Sequence, residues 1–367
     1  MKSKNLVAAV ATMIGMIIGA GVLGIPYAVA KSGFLIGAAH IIVLGLALLI
    51  INLYVGEISL LTEGRHQLTR YAEKYLGKKG KHLMLAAMAV GIYGALTAYL
   101  IGEGASLGEL FGINPFIAMI IFFVIISYFI FRDINIIKNA EIFLNAFRFI
   151  AIAALLLFVF AAFRFENISY IDRGNLLFPY GIVFFALMGA AAIPEMRDML
   201  KNDKKLLKKA IILGSLIPVC FYLVFSLAFV GAFGANVSEI ATSGMSLHKY
   251  IAVFGNIFAI ISMAAAFLVL GLALKWVFRY DYGVNRHIAF LLACGVPLAL
   301  VLLGVSGFAK VIAITGAVAG GVEGIIIVLM HRKVKGKAEY NIKSPLVVDI
   351  LHISLFIAGI IYTFIAL

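Results

Sequence analysis

Charge is scarce in this sequence: 13% of its 367 residues are Asp, Glu, Lys or Arg, while 64% are apolar. A soluble domain carries about 25% charged and 45–50% apolar residues, so the surplus apolar surface must face something other than water. Acid is the scarcer sign, with 17 Asp+Glu against 30 Lys+Arg. The net charge of +13 would suggest nucleic acid if it were gathered on one domain. The basic residues instead sit in short clusters between apolar runs, which excludes that partner and fits loops beside a lipid bilayer. Cysteine is limited to Cys220 and Cys294, both inside apolar runs, where a small buried thiol is expected and no disulfide is assigned. The sequence has no P-loop, so it contains no ATP-driven pump, and no metal-spaced His/Cys set or nucleophile–base pairing marks an enzyme. No cofactor or metal is therefore expected.

Long polar stretches are also missing. The longest, about 63–81, 201–205, 234–246 and 332–344, are read as loops, which makes residues 1–367 one transmembrane domain. A spanning helix takes about 20 apolar residues. Runs bounded by charge or by Pro and Gly predict eleven segments, at 5–30, 34–62, 82–111, 115–131, 139–163, 175–200, 206–233, 247–275, 286–304, 308–331 and 345–366. The first run is too long for a signal peptide and is read as a span. With the N-terminus in the cytoplasm, 24 of the 30 Lys and Arg fall inside, five outside, and Arg148 within a segment. That bias sets the expected orientation in the cell membrane and puts Leu367 outside.

Two of the segments are interrupted. The first contains Gly19-Ala20-Gly21-Val22-Leu23-Gly24-Ile25-Pro26, and the sixth contains Met188-Gly189-Ala190-Ala191-Ala192-Ile193-Pro194. They align without a gap, Gly21 on Gly189 and Pro26 on Pro194. Five spans separate their starts, so segments 1–5 and 6–10 would lie in opposite orientations, as inverted repeats of about 5–163 and 175–331 with 345–366 as an extra helix. Gly/Pro-interrupted segments at corresponding positions point to the midplane binding site of a secondary transporter. Neither proline can donate to the carbonyl four residues back, Val22 or Ala190. Freed amides at the start of a half-helix suit a carboxylate, and freed carbonyls suit an ammonium group. An amino acid offers both. Gly19 to Leu23, with Gly189 and Ala190, are accordingly the expected substrate contacts, and Phe185 and Met188, just before the second break, would line the side-chain pocket. These regions carry no fixed charge, so a neutral substrate is expected. The spacing Gly19-x-Gly21-x-x-Gly24 also matches a dinucleotide fingerprint, but no acid follows at the required distance and the chain continues as a span. Gly104-x-x-x-Gly108, Gly316-x-x-x-Gly320 and Gly320-x-x-x-Gly324 read as helix-packing contacts.

Ionisable residues inside a membrane are costly, and five stand out here: Glu57, Glu103, Arg148, Glu195 and Glu323. Glu57 and Glu195 lie near cytoplasmic ends, where solvation or local pairing explains them. Glu103, toward the outer end of the third segment, is a candidate for the transport pathway. Arg148 and Glu323 sit nine and eight residues from the cytoplasmic ends of segments 5 and 10, about 13 and 12 Å deep at 1.5 Å per residue. His40 and His352 are expected to be satisfied within the bundle.

The first segment, from Ile14-Gly15 to Gly33-Phe34, resembles the first span of the amino acid/auxin permease family, which includes bacterial tyrosine and tryptophan permeases. That family lies within the amino acid-polyamine-organocation superfamily. The Ala-Ile-Pro-Glu-Met ending of segment 6 is similar to it too. The resemblance implies an all-α membrane protein of the leucine-transporter type, a 5+5 inverted repeat with broken helices 1 and 6. The implied function is secondary transport of amino acids, driven by H⁺ or Na⁺, by a monomer. It also implies that a third-span tyrosine, here Tyr93, reaches the substrate carboxylate. Ser262 is the single hydroxyl near the middle of segment 8, where related Na⁺ sites present more oxygen ligands, so H⁺ coupling is favoured. In proton-coupled relatives a basic fifth-span residue stands in for Na⁺, which suggests that role for Arg148. Arg keeps its own proton, which leaves a carboxylate such as Glu323 to carry the coupled one. A non-transporting sensor on the same scaffold and a Na⁺ symporter remain the alternatives.

Overall fold

The computed structural model describes residues 2–64, 66–133, 150–201, 203–243, 249–334 and 345–366, with backbone alone for 2, 3, 249–251 and 281. Among them there are helices and turns and no strand. In chain order the helices are α1 (Lys2–Ile17), α2 (Ile25–Ser32), α3 (Phe34–Leu60), α4 (Leu68–Phe111), α5 (Pro115–Phe131), α6 (Ile150–Ala161), α7 (Pro179–Leu187), α8 (Ile193–Met199), α9 (Lys204–Phe233), α10 (Lys249–Trp276), α11 (Arg286–Leu302), α12 (Phe308–Lys333) and α13 (Leu346–Ala366).

Seven helical stretches are long and apolar enough to cross a membrane, the Pro179–Met199 pair counting as one. An eighth is added if α1 and the stretch from Ala20 to Ser32, bent by 48° against each other, form one span. The helices α5, α6 and α11 are apolar but shorter. A helix that is apolar all round has no solvent face to present, so these elements bury themselves in one another and in lipid. The Pro179–Met199 and Phe308–Lys333 stretches are each 78% buried and form the centre, while α13 at 28% and α3 at 39% lie toward the periphery.

Two sequence expectations change here, and a third falls outside the described residues. The stretch 63–81 is not all loop: helix begins at Leu68, and α4 is divided by Gly77, whose φ of 77° breaks the helical path. The short piece before it buries Leu68, Tyr71 and Ala72, and its outward face pairs Glu73 with Arg70 at 2.5 Å and Lys81 at 3.3 Å. Those hydrogen bonds hold the Glu73 carboxyl below its usual range. Cys220 is exposed on α9, although Cys294 is buried as expected. Of segment 5, residues 139–149 lie outside the described residues, and Arg148 with them.

The glycine patterns do serve close packing. A Cβ at Gly316 would run into the Gly181 carbonyl of α7, one at Gly320 would meet Phe184 at 2.6 Å, and one at Gly324 would meet Phe356 of α13 at 2.5 Å. Gly104 and Gly108 likewise let α4 approach Pro115 at the start of α5. The polar residues where α3, α12 and α13 meet are paired. Glu57 meets His331 at 2.7 Å, His331 stacks on Tyr54 at 3.9 Å, and the Tyr54 hydroxyl donates to Asp349 at 2.9 Å, tying α3, α12 and α13. Glu195 is exposed in the first turn of α8, where the helix dipole favours an acid. His40 and His352 each bond, through Nδ1, the carbonyl four residues earlier.

Candidate substrate site at the two broken helices

Both interruptions leave helical geometry just ahead of the Ile-Pro pair. Gly19 has φ −99° and ψ −153°, Met188 has φ −65° and ψ 122°, and Gly189 has φ −141° and ψ −1°. Each is followed by a 3-10 turn, Ala20–Gly24 or Ala190–Ala192, and each helix restarts at Ile25 or Ile193 with proline in its first turn. Proline fits that position because its missing amide hydrogen would have no helical partner there.

The freed groups differ from those expected. Val22 and Ala190, the carbonyls that the prolines cannot serve, accept from the amides of Ile25 and Ile193 through the 3-10 turns. The Leu23 carbonyl accepts from the Ala241 amide at 2.9 Å, so the loop between α9 and α10 closes over it. What remains is the pair of turn starts, where the amides of Ala20 and Gly21 and of Ala190 and Ala191 open a helical turn and so lack a partner within it.

The breaks are seated on each other. A Cβ at Gly21 would stand 3.2 Å from Ala186 Cα and 3.3 Å from the Phe185 ring on α7. A Cβ at Gly189 would stand 2.9 Å from Ile17 and 3.3 Å from Met13 on α1. Residues Ala20 to Leu23 and Gly189 and Ala190 are buried, whereas Gly19, Phe185, Met188 and Ala191 are half-buried. One side chain joins both breaks. The hydroxyl of Tyr222 on α9, fully buried, donates to the Ile17 carbonyl at 2.7 Å and the Ala186 carbonyl at 3.1 Å, the ends of the two first half-helices.

The Tyr93 hydroxyl donates to the Leu292 carbonyl of α11 at 3.0 Å. Another third-span tyrosine, Tyr99, six residues on and buried, lies near Tyr222. Tyr99 and Tyr222 were not anticipated from sequence; tyrosines deep in apolar runs were the available signal. Arg197 was also missed. It is buried at the end of α8 and holds the carbonyls of Ser59 at 2.5 Å and Thr62 at 3.0 Å, and that of Gly64, which closes the turn after α3.

Of the ion-coupling candidates, Glu323 is buried on α12, one turn beyond the widened stretch Gly316–Gly320. Ser262 is buried on α10, and its hydroxyl has no hydrogen-bond partner. Among the described residues no group of three or more His, Cys, Asp or Glu could hold a metal ion.

Comparison with known proteins gives the family and the fold. The tryptophan/tyrosine permease family matches residues 2–365. "Tyrosine-specific transport system 1" of Haemophilus influenzae is 26% identical over 284 residues, covering 71% of this chain and 69% of its own. "Glutamine transporter 2" of Aliivibrio fischeri is 24% identical over 320 residues, covering 83% and 82%. The fold is shared with the crystal structure of MhsT in complex with L-phenylalanine, at a TM-score of 0.63 and 15% identity over 97% of this chain and 96% of that one. On a match that spans almost its full length, the chain belongs to the tryptophan/tyrosine permease family, within the amino acid-polyamine-organocation-type transporters, and is a multi-pass membrane permease for amino acids and not an enzyme.

Proposed function

We propose that the chain is a secondary active transporter of neutral amino acids, large aliphatic or aromatic ones in particular, driven by H⁺ and working as a monomer by alternating access. The observation that carries this reading is the reciprocal seating of the two breaks, Gly21 on Phe185 and Ala186, Gly189 on Ile17 and Met13. A zwitterion would set its carboxylate on the turn-start amides of Ala20, Gly21, Ala190 and Ala191. Its side chain would lie against the half-buried Phe185 and Met188. The absence of any fixed charge at the breaks favours a neutral substrate, and the relatives named for tyrosine and glutamine agree with that. In this reading α5, α6 and α11 also cross the bilayer. There are then eleven spans in a leucine-transporter-type 5+5 arrangement, N-terminus cytoplasmic and Leu367 outside, and the amino acid/auxin resemblance of the first span belongs to the same reading.

For coupling, Arg148 takes the place of a bound Na⁺, bracing the first half of the first span, and Glu323 carries the proton. The test is uptake by the purified permease in proteoliposomes, with a panel of radiolabelled amino acids and with a pH or a Na⁺ gradient. Uptake is expected to follow the pH gradient, to survive removal of Na⁺, to be lost in Gly21→Leu and Gly189→Leu, and to suffer more in Arg148→Met than in Arg148→Lys. Na⁺-dependent uptake, or full activity in Arg148→Met, would remove the coupling assignment. Near-normal uptake by both glycine variants would remove the site.

A further inference from the structure

We propose that Glu103 on α4 is a second proton-binding site, in the outer half of the permease and apart from the broken helices, loaded along the hydroxyls of Ser243 and Ser106. The inference rests on the H⁺-coupled reading above and adds a carboxyl that reading leaves unused.

Glu103 has no exposed surface, and neither carboxyl oxygen has a hydrogen-bond partner. It lies beside the backbone of Ala264 on α10, and the neighbouring Gly102 lets Met263 and Phe308 pack close, so the surroundings are apolar. Among the described side chains, the charged and titratable groups of the flanking elements are elsewhere. On α4 itself Tyr99 stands one turn inward and Glu109 is exposed beyond Glu103. On α5 the sequence from Pro115 to Phe131 has no charged residue. On α10 Lys275 is committed to Asp133 and to the Ile130 and Phe131 carbonyls. On α11 the basic Arg286 and His287 are at its start, Arg286 bonding the Phe131 carbonyl. On α12 Lys310 is exposed and Glu323 lies further along the helix. In the loop between α9 and α10, Glu239 accepts from the Ala309 amide. None of these places an opposite charge on Glu103.

An unpaired carboxylate in such a place costs far more than the neutral acid, so in this conformation Glu103 holds its proton. A hard cation needs several oxygen ligands around it, and no side-chain oxygen bonds these two, which favours the proton over Na⁺.

The route is a short chain of hydroxyls. Ser106 stands three residues outward from Glu103, on the same helical face. Its Oγ is 3.2 Å from that of Ser243, and Ser243 in turn donates to Asn256 Oδ1 at 2.8 Å. Since the hydrogen of Ser243 is on Asn256, Ser106 donates in the Ser106–Ser243 bond. For a proton arriving on Ser243 from the outer loop to move inward, Ser243 turns the hydrogen it gives Asn256 toward Ser106, and Ser106 turns its own hydrogen toward Glu103. Each hydroxyl accepts one proton and releases its own, and the balance is a carboxylate plus one proton from outside giving the carboxylic acid.

The experiment pairs infrared difference spectroscopy on the purified permease, titrated with pH, with proton flux into dye-loaded proteoliposomes during uptake of neutral amino acids. The variants are Glu103→Gln, Ser106→Ala and Glu323→Gln. Glu103→Gln is expected to lose one carboxylic-acid band and the proton flux from outside, while amino-acid exchange, which moves no net proton, continues at the wild-type rate. Ser106→Ala is expected to keep the band and slow the flux, which serves as the second measure should Glu103→Gln fold poorly. Wild-type proton flux with Glu103→Gln, or no lost band, overturns this proposal while leaving proton coupling intact. Uptake driven by Na⁺ without proton flux overturns the coupling reading instead, and with it the role given to Glu103.

Discussion

Removing one hydroxyl, by Tyr222→Phe, tests whether the two broken helices are held as a pair. The phenyl ring keeps the packing of Tyr222 against Phe221, whose ring centre is 5.9 Å away, so the change is confined to the oxygen. That oxygen serves the Ile17 carbonyl at 2.7 Å and the Ala186 carbonyl at 3.1 Å. Ile17 keeps a bond from the Gly19 amide at 2.9 Å, a tight turn of poor geometry, so Ala186 is the more exposed to loss. Leaving a buried acceptor unsatisfied costs about 1–3 kcal/mol. If that energy belongs to the conformation in which both half-helices end on Tyr222, the balance between it and the alternative conformations shifts by about 5- to 150-fold. Two measurements read this, the melting midpoint of the purified protein and the concentration of amino acid that half-saturates exchange. The midpoint should fall and the half-saturating concentration should move. A Tyr222→Phe variant whose melting and exchange both match wild type would show that the shared hydroxyl does not hold the breaks together.

The other predictions follow from contacts at some distance from the breaks. Gly316→Ala should yield little folded protein, because its Cβ would collide with the Gly181 carbonyl and stand 2.6 Å from the Phe185 amide nitrogen, so α7 and α12 would have to separate. Gly15→Ala, which meets nothing within 4 Å, should instead stabilise by about 0.4–1 kcal/mol in thermal melts with transport unchanged. Asp133→Asn should destabilise by about 3–5 kcal/mol, since Lys275 is fully buried and Asp133, at 2.8 Å, is its counter-charge. Although burial works the other way, hydrogen bonds from Lys275 and Trp276 hold the Asp133 carboxyl below its usual range. Its stabilisation is therefore present above the unfolded value of about 3.9 and lost as pH falls through the lower folded value. Melting of wild type should drop in that acid window more than melting of Asp133→Asn; parallel curves would contradict this.

The sequence was informative wherever the determining property is chemical and local. Apolar runs gave the helices, and the Gly and Ile-Pro spacing located both interruptions to within a residue or two, because a missing amide hydrogen acts at its own position. It was silent where direction decides. Tyr93 and Tyr99 differ by six residues, which turns a helix of 3.6 residues per turn through about 600°, so they point about 120° apart. On a helix whose neighbours are apolar all round, no pattern says which of the two looks inward. Cys220 and Tyr222 show the same problem, two residues and about 200° apart on α9, one exposed and the other fully buried. Partners made of backbone were equally hidden: Tyr222 and Arg197 act on carbonyls, and every residue has a carbonyl. The start of α4 was missed because Gly77 and the lysines around it read as loop, although the glycine only redirects the helix.

The two interruptions share a local design but not their anchoring. At the end of α8, Arg197 holds the Ser59 carbonyl in the last turn of α3 and the Thr62 and Gly64 carbonyls just after it, so that half-helix is fixed to the third helix at its far end. The first half-helix of the other interrupted segment, α1, has lighter polar ties among the described residues. Asn5 reaches the Met199 carbonyl at 3.4 Å, Thr12 reaches the Met199 sulfur at 3.6 Å, and Tyr222 takes its last carbonyl. Three charge-assisted bonds from one buried guanidinium outweigh two long neutral contacts, since ionised donors make the stronger hydrogen bonds. Of the two first-order consequences of breaking a helix, free backbone groups and a joint about which a half-helix can turn, both breaks supply the first. For the second, α1 has the weaker polar ties beyond its joint at Ile18–Gly19, and a turn of α1 about that joint would have to release the Tyr222 hydroxyl.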